Sequence, residues 1–354
     1  MEVNTLWEKE AEKIINDKGS VIVIGANDTG KTTVVKHLVS TCAQRGYKVG
    51  LIDADIGQSF IGPPTTIGMS IISEFNTKPY EKLPTYLRFI GSTSPAGHIY
   101  STIKSIKDLV DKAESLGAKI IIIDTTGLVT GSVGCELKRR KIEIIKPKRI
   151  IAIQRRNELE ALLNFLKSHL DFKESRLPVA EAVKQKSIDY RRDYRCAKFK
   201  EYFSTAELLE FNFSELDLLG GWIGSGNKLS LEDMNFLSTI LKSKTLYGEV
   251  YNNTVNVIVE GSYSVGELFK ARRYFKMKDV LVTNTDFYRY ILVSLDDSQG
   301  NSHGLALLLK HDFRQSKIIL LTPIKNKNNI KRISFGYLRI HPSGEEIEKI
   351  TYPS

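Results

Sequence analysis

The residues best equipped for chemistry lie in one short stretch, GANDTGKTT, from Gly25 to Thr33. Gly25 and Gly30 are spaced so that the backbone between them can curl and point its N–H groups inward. Asn27, Asp28 and Thr29 supply those amides. Lys31 follows at the spacing that reaches the β- and γ-phosphates of a nucleotide, the Thr32 hydroxyl suits Mg²⁺, and Thr33 continues the turn. Such a loop needs a buried strand before it and a helix after it. Val21 to Ile24 is a continuous apolar run, and Val34, Val35, Leu38 and Val39 recur at helical spacing. The stretch therefore reads as a nucleoside triphosphate site, with the helix N-terminus adding positive charge.

Other acids fall where such a site would use them. Tyr47 to Asp53 reads as a second strand leading into DADIGQS, where Asp53 and Asp55 alternate across the strand tip. Residues 61–76, with Pro63, Pro64 and Gly68, read as loop. A strand over Tyr86 to Ile90 leads into STSPAGH, and a helix is expected over Ile99 to Leu116. Lys119 to Asp124 is a fully apolar strand ending in Asp124, a metal-binding position, and Gly127 could offer an N–H to the γ-phosphate. A basic helix over Gly134 to Lys146, a strand over Arg149 to Gln154 and a helix over Asn157 to Leu170 complete the alternation. Pro178 to Phe203 reads as one very basic helical segment. The implied fold is α/β: a P-loop NTPase with a mostly parallel sheet flanked by helices, functional groups gathering at the strands' C-terminal ends. After a helix near Leu231 to Leu241 come short runs such as VNVIVEG, YRYILVSL and RISFGYLRIH. We therefore expect a P-loop domain over residues 1–204 and a β-rich domain over 205–354.

Composition narrows the classes further. The 354 residues contain no apolar run near the roughly 20 residues that a membrane helix needs. The three cysteines are far apart, so a reducing, cytoplasmic setting is the expectation. A net charge of +10 favours a polyanionic partner. Lys138, Arg139, Arg140, Lys141, Lys146, Lys148 and Arg149 form a candidate nucleic-acid track, with a solvated surface the competing reading. No Asn-Lys-x-Asp guanine signature occurs, which disfavours GTP.

In order, GANDTGKTT, DADIGQS, STSPAGH, DTTGLVTG and KSIDYRRDYRCAKFKEYF resemble the polynucleotide 5′-hydroxyl kinases. That family includes the pre-mRNA cleavage complex kinase subunit and the ribosomal-RNA-processing kinases, and this chain is similar to a compact archaeal-like member. The likeness covers about residues 18–205. It implies ATP and Mg²⁺ as cofactors, RNA 5′-hydroxyl ends as acceptors with DNA as a second, and RNA-processing protein partners. It implies catalytic roles for Lys31, Asp55, Arg191 and Arg195, with Asp55 accepting the hydroxyl proton. Gln58, Thr93, Ser94, Gly97, His98, Gly127 and Lys186 would hold substrate, and Thr32 and Asp53 the metal, together with the strand-tip Asp124, which stands where eukaryotic members commonly have a non-acidic residue. Lys186 stands where the pattern has arginine, and Leu128 where eukaryotic members have tryptophan. Two alternatives remain open at this point: an ATP-binding scaffold without turnover, and a switch ATPase acting on a protein partner.

Overall fold

Residues 3–73, 83, 85–212, 215–313 and 315–352 are described by a computed structural model. The chain divides into two units, Met1–Arg195 and Cys196–Ser354.

In the first unit, β1 (Gly19–Gly25) lies between β5 (Ile120–Thr125) and β6 (Arg149–Gln154), parallel to both. β2 (Val49–Ala54) pairs parallel with β5, and β7 (Lys173–Pro178) parallel with β6. Helices cover both faces of β1 and β5, which is why these strands are apolar without alternation. One face packs against α3 (Ile99–Ser115), α4 (Gly131–Ile145) and α5 (Glu160–Lys167). The other packs against α1 (Val3–Asp17) and α2 (Lys31–Gln44). β1, β2 and β5 all end at the same edge, so Gly25, Ala54 and Thr125 converge there.

Residues 61–76 are not the loop that their prolines and glycine suggest. Thr66–Ile72 is a strand, β3, antiparallel to β2, and β4 (Tyr86–Phe89) pairs antiparallel with β3. The strand is buried on both faces, so it carries no alternation to betray it. Residues 74–76 of that expected loop lie outside the described residues. The basic segment also differs from the expectation. β7 occupies its first residue, turns follow, and helix α6 begins only at Ile188 and ends at Phe203. Pro178 cannot donate within a helix, and no apolar stripe supports one before Ile188.

The second unit is β-rich but holds two sheets. β14 (Ile291–Asp296), β15 (Ser302–Asp312), β16 (Lys317–Thr322) and β17 (Arg332–Ile340) form an antiparallel core, with β8 (Glu207–Asn212) on β16. β9 (Asp217–Leu219) and β18 (Glu346–Lys349) pair with β17. The other sheet runs β10 (Asn227–Lys228), β11 (Thr245–Tyr251), β12 (Thr254–Val259), β13 (Asp279–Asn284). Its apolar face packs with α7 (Leu231–Leu241) and α8 (Leu268–Phe275). α7 starts on a capping box in which Ser230 and Asp233 bond each other's backbone.

Candidate active site

The phosphate loop runs from Gly25 at the end of β1 into α2. Asp28 and Gly30 both sit in the left-handed region, which turns the intervening amides toward one side. Lys31 is buried, and its ammonium donates to the Ala26 carbonyl at 2.7 Å. Burial holds its pKa down, opposed by the nearby Asp124, Asp55 and Asp28. Thr32 donates to Asp124 Oδ2 at 2.5 Å, across the sheet edge between β1 and β5. Asp124 is buried and its pKa is pushed up to about 6, mainly by that burial, while the Thr32 bond and Lys31 act against the rise.

A magnesium ion suits this donor set. A hydroxyl and a carboxylate are hard oxygen ligands, and Mg²⁺ ordinarily takes one or two protein oxygens plus water and phosphate.

Asp53 is engaged by its own loop. One of its oxygens accepts from the Phe60 amide (2.6 Å), the Ile61 amide (3.0 Å) and the Ser59 hydroxyl (2.9 Å). The other accepts from the Asp55 amide at 3.1 Å. This fully buried carboxylate thereby folds the 55–61 loop onto the tip of β2, with its pKa raised to about 7 by burial and by Asp124. Asp55, only half-buried, uses Oδ1 to accept the Gly57 and Gln58 amides, both at 3.2 Å. That local turn fixes the carboxylate in the cavity wall. Gln58 shares the wall, and its amide nitrogen is buried without a hydrogen-bond partner among the described residues.

One cavity of about 890 Å³ brings together Asn27, Asp28, Thr29, Gly30, Lys31, Thr32, Thr33, Asp55, Gln58 and Lys186. Gly127 backs onto its loop. A Cβ there would lie 1.9 Å from Asn27 Oδ1 and 2.6 Å from the Asn27 amide nitrogen. Gly127→Ala should therefore weaken nucleotide binding about 5- to 150-fold, the scale of an overpacking cost of about 1–3 kcal/mol. Calorimetric titration with ADP checks this, and unchanged affinity would mean that Asn27 yields freely. Thr93, Ser94, Gly97 and His98 form the turn before α3, where Ser92 and Ser94 hydroxyls bond the turn's own backbone. That turn packs beside the Asp55 loop, the Thr93 carbonyl lying 2.9 Å from where a Cβ of Gly57 would be.

The basic segment after β7 meets the loop at Asp28. Arg191 of α6 pairs with Asp28 Oδ2 at 2.6 Å, and the Lys186 amide donates to the same oxygen at 3.1 Å. Tyr194 donates to the Ser59 carbonyl at 2.8 Å, docking α6 on the Asp55 loop. Arg195 is half-buried one turn beyond Arg191. Lys186 precedes the helix, so it does not share a helix face with the two arginines.

The proposed nucleic-acid track is not continuous at the surface: Arg140, Lys146 and Lys148 are exposed, but other members turn inward. Lys138 and Lys141 are 0% exposed, and Arg149 is buried against Asp17 and Glu10. Arg139 pairs with Glu136 and Glu143, and Arg140 with Glu136. Lys138 instead donates to Thr125 Oγ1 (2.8 Å) and the Thr126 carbonyl (2.7 Å), tying α4 to the tip of β5. Among the described residues the Lys141 ammonium has no hydrogen-bond partner. Burial lowers its pKa to about 8, opposed by the charges of Asp55 and Asp124. A signal for this was present. Gly134, Leu137, Lys138, Lys141, Ile142 and Ile145 form the buried stripe of α4, so both lysines occupy core positions of the helix. Arg155 also went unnoticed; it donates to the Asn27 and Asp28 carbonyls from the turn after β6.

The family model described as mRNA cleavage and polyadenylation factor CLP1 P-loop matches residues 25–205. This chain belongs to that family. A polyribonucleotide 5′-hydroxyl-kinase of Methanocaldococcus jannaschii is 33% identical, over 92% of this chain and 88% of the relative. One of Pyrococcus abyssi is 32% identical, over 95% of this chain and 92% of the relative. With such relatives the CLP1-family chain is an enzyme of the kinase class. The solved Clp1p of a Clp1p–Pcf11p complex shares its fold at a TM-score of 0.62 and 15% identity, covering 95% of this chain and 78% of that one. Among the described residues no helix is long and apolar enough to cross a membrane.

Proposed function

We propose that this protein transfers the γ-phosphoryl group of ATP to the 5′-hydroxyl end of RNA, with DNA ends as a second acceptor. The observation that carries the reading is the sharing of one cavity by Lys31, Thr32, Asp55 and Gln58. A phosphate-binding half and a proton-accepting half thus face the same space. Asp55 takes the proton of the 5′-hydroxyl as its oxygen bonds the γ-phosphorus and the bond to ADP breaks. Gln58, whose amide nitrogen has no partner among the described residues, orients the terminal nucleotide. Thr93, Ser94, Gly97 and His98, beside the Asp55 loop, hold the first phosphates of the strand. Lys31 and the Gly127 amide serve the γ-phosphate, and Lys186, Arg191 and Arg195 close over it once Arg191 exchanges Asp28 for the nucleotide.

Thr32 and Asp124 would hold Mg²⁺, which would neutralise charge on the phosphate oxygens. We assign Asp53 to holding the Asp55 loop, since its oxygens already accept four donors. Protein partners of the RNA-processing kind form part of the same reading. The test is purified protein with γ-labelled ATP, Mg²⁺ and 5′-hydroxyl oligonucleotides of RNA and DNA. Label is expected on the oligonucleotide. Label released only as free phosphate would make the protein a hydrolase, and ATP held unconsumed would make it a scaffold.

A further inference from the structure

The phosphate end of the cavity is accounted for, but its other end is not. Lys31, Thr32, Asp55 and Gln58 mark where the terminal phosphate and the acceptor meet, so the nucleoside must lie away from them. Besides the polar strap residues 184–187, the rest of the wall is made by Trp7 of α1, Tyr190 of α6, and Pro178, Ala180, Ala182 and Val183 from the strap after β7. Val183 also touches the phosphate loop, its Cγ2 lying 3.2 Å from where a Cβ of Gly30 would be. Strap and loop therefore bound one slot.

Trp7 is unusual on α1. Ala11 and Ile14 of the same helix are buried in the core below, whereas Trp7 is half-buried and keeps a face on the cavity. Its ring is held in place. It lies 5.3 Å from the His37 ring at 59°, and His37 meets Glu8 at 3.1 Å, with Arg45 on the same carboxylate at 3.4 Å. α1 is thus pinned to α2, the helix that begins with Lys31. A fixed, flat, amphipathic ring at the mouth of a nucleotide slot is suited to a flat heterocycle.

We propose that Trp7 is the stacking platform for the nucleobase of the bound nucleotide, the strap residues closing on the opposite side. This rests on the cavity being a nucleoside triphosphate site. Stacking of a base on an aromatic ring is worth about 1–3 kcal/mol, or roughly 5- to 150-fold in affinity.

The full-length protein and its Trp7→Phe and Trp7→Leu variants are titrated with ADP and with inorganic tripolyphosphate, which has no base. Calorimetry and intrinsic fluorescence are both read, after a melt confirms that each variant is folded. ADP should quench the wild type, bind Trp7→Phe nearly as well, and bind Trp7→Leu at least about fivefold more weakly without that quench. Tripolyphosphate should bind all three alike. Equal ADP affinity in Trp7→Leu, or a loss seen instead in Tyr190→Leu, a fourth protein titrated beside them because Tyr190 also lines the cavity, overturns the platform while leaving the nucleotide site standing. Failure of the wild type to bind either ligand overturns both.

Discussion

Asp55→Asn should abolish phosphoryl transfer, by about 10²–10⁴-fold, while ADP or ATP affinity stays within about threefold of the wild type. The substitution is chosen because of what Asp55 already does in the fold. Its Oδ1 accepts the Gly57 and Gln58 amides, and an asparagine carbonyl accepts the same two hydrogens. The turn and the position of Gln58 are therefore kept. Only the capacity to take a proton is lost. The phosphate loop is untouched, so nucleotide binding reports an intact first half of the site. Single-turnover transfer with a 5′-hydroxyl RNA and a parallel nucleotide titration provide the two readings. Wild-type turnover in this variant would remove Asp55 as the proton acceptor, and parallel loss of both would mark it as a folding residue.

Lys138→Met is the second substitution expected to have a large effect, and here activity and stability should separate. A buried lysine is costly to the folded state, as its strongly depressed pKa reflects, and burial is the leading cause of that depression. Replacing such a group with an apolar side chain of similar length is often neutral or stabilising. The thermal midpoint is therefore expected to move little. What is lost is the pair of hydrogen bonds to Thr125 Oγ1 and the Thr126 carbonyl, at 2.8 and 2.7 Å. Those bonds fix the tip of β5, which carries Asp124 on one side and Gly127 on the other. A misplacement there of about 1 Å can cost on the order of 10²-fold in rate. We expect kcat to fall about 10- to 100-fold, with a smaller change in the KM for ATP. Lys138→Arg should not rescue, because the site is fully enclosed and cannot admit a guanidinium. A stable variant with normal kcat would reduce Lys138 to packing.

These two residues differ in how they could be found. Asp55 is visible in the sequence because a strand tip, a phosphate loop and the string DADIGQS constrain it together. Lys138 is visible only once the helix is turned in space. Counted as charges, residues 138–141 look like a surface patch. Placed on the stripe with Leu137, Ile142 and Ile145, Lys138 and Lys141 enter the core while Arg139 and Arg140 pair outside it. Charge alone does not say which way a side chain points, because long stems reach either way.

By itself the sequence determined the phosphate loop, the parallel core strands and the convergence of Gly25, Asp55 and Asp124 at one sheet edge. Local signals suffice there: apolar runs buried on both faces, and glycines at the spacing a phosphate demands. Tertiary structure decided the rest. It made 66–72 a strand, since a partner strand satisfied a backbone whose residues carried no alternation. It turned Asp53 inward to four donors and Asp55 outward to the cavity, although neighbouring acids look alike in a string. It also brought Trp7, Arg155 and the strap after β7 to the nucleotide slot. Contacts between residues more than a hundred positions apart leave no periodicity along the chain, and only the folded sheet and its helices bring them together.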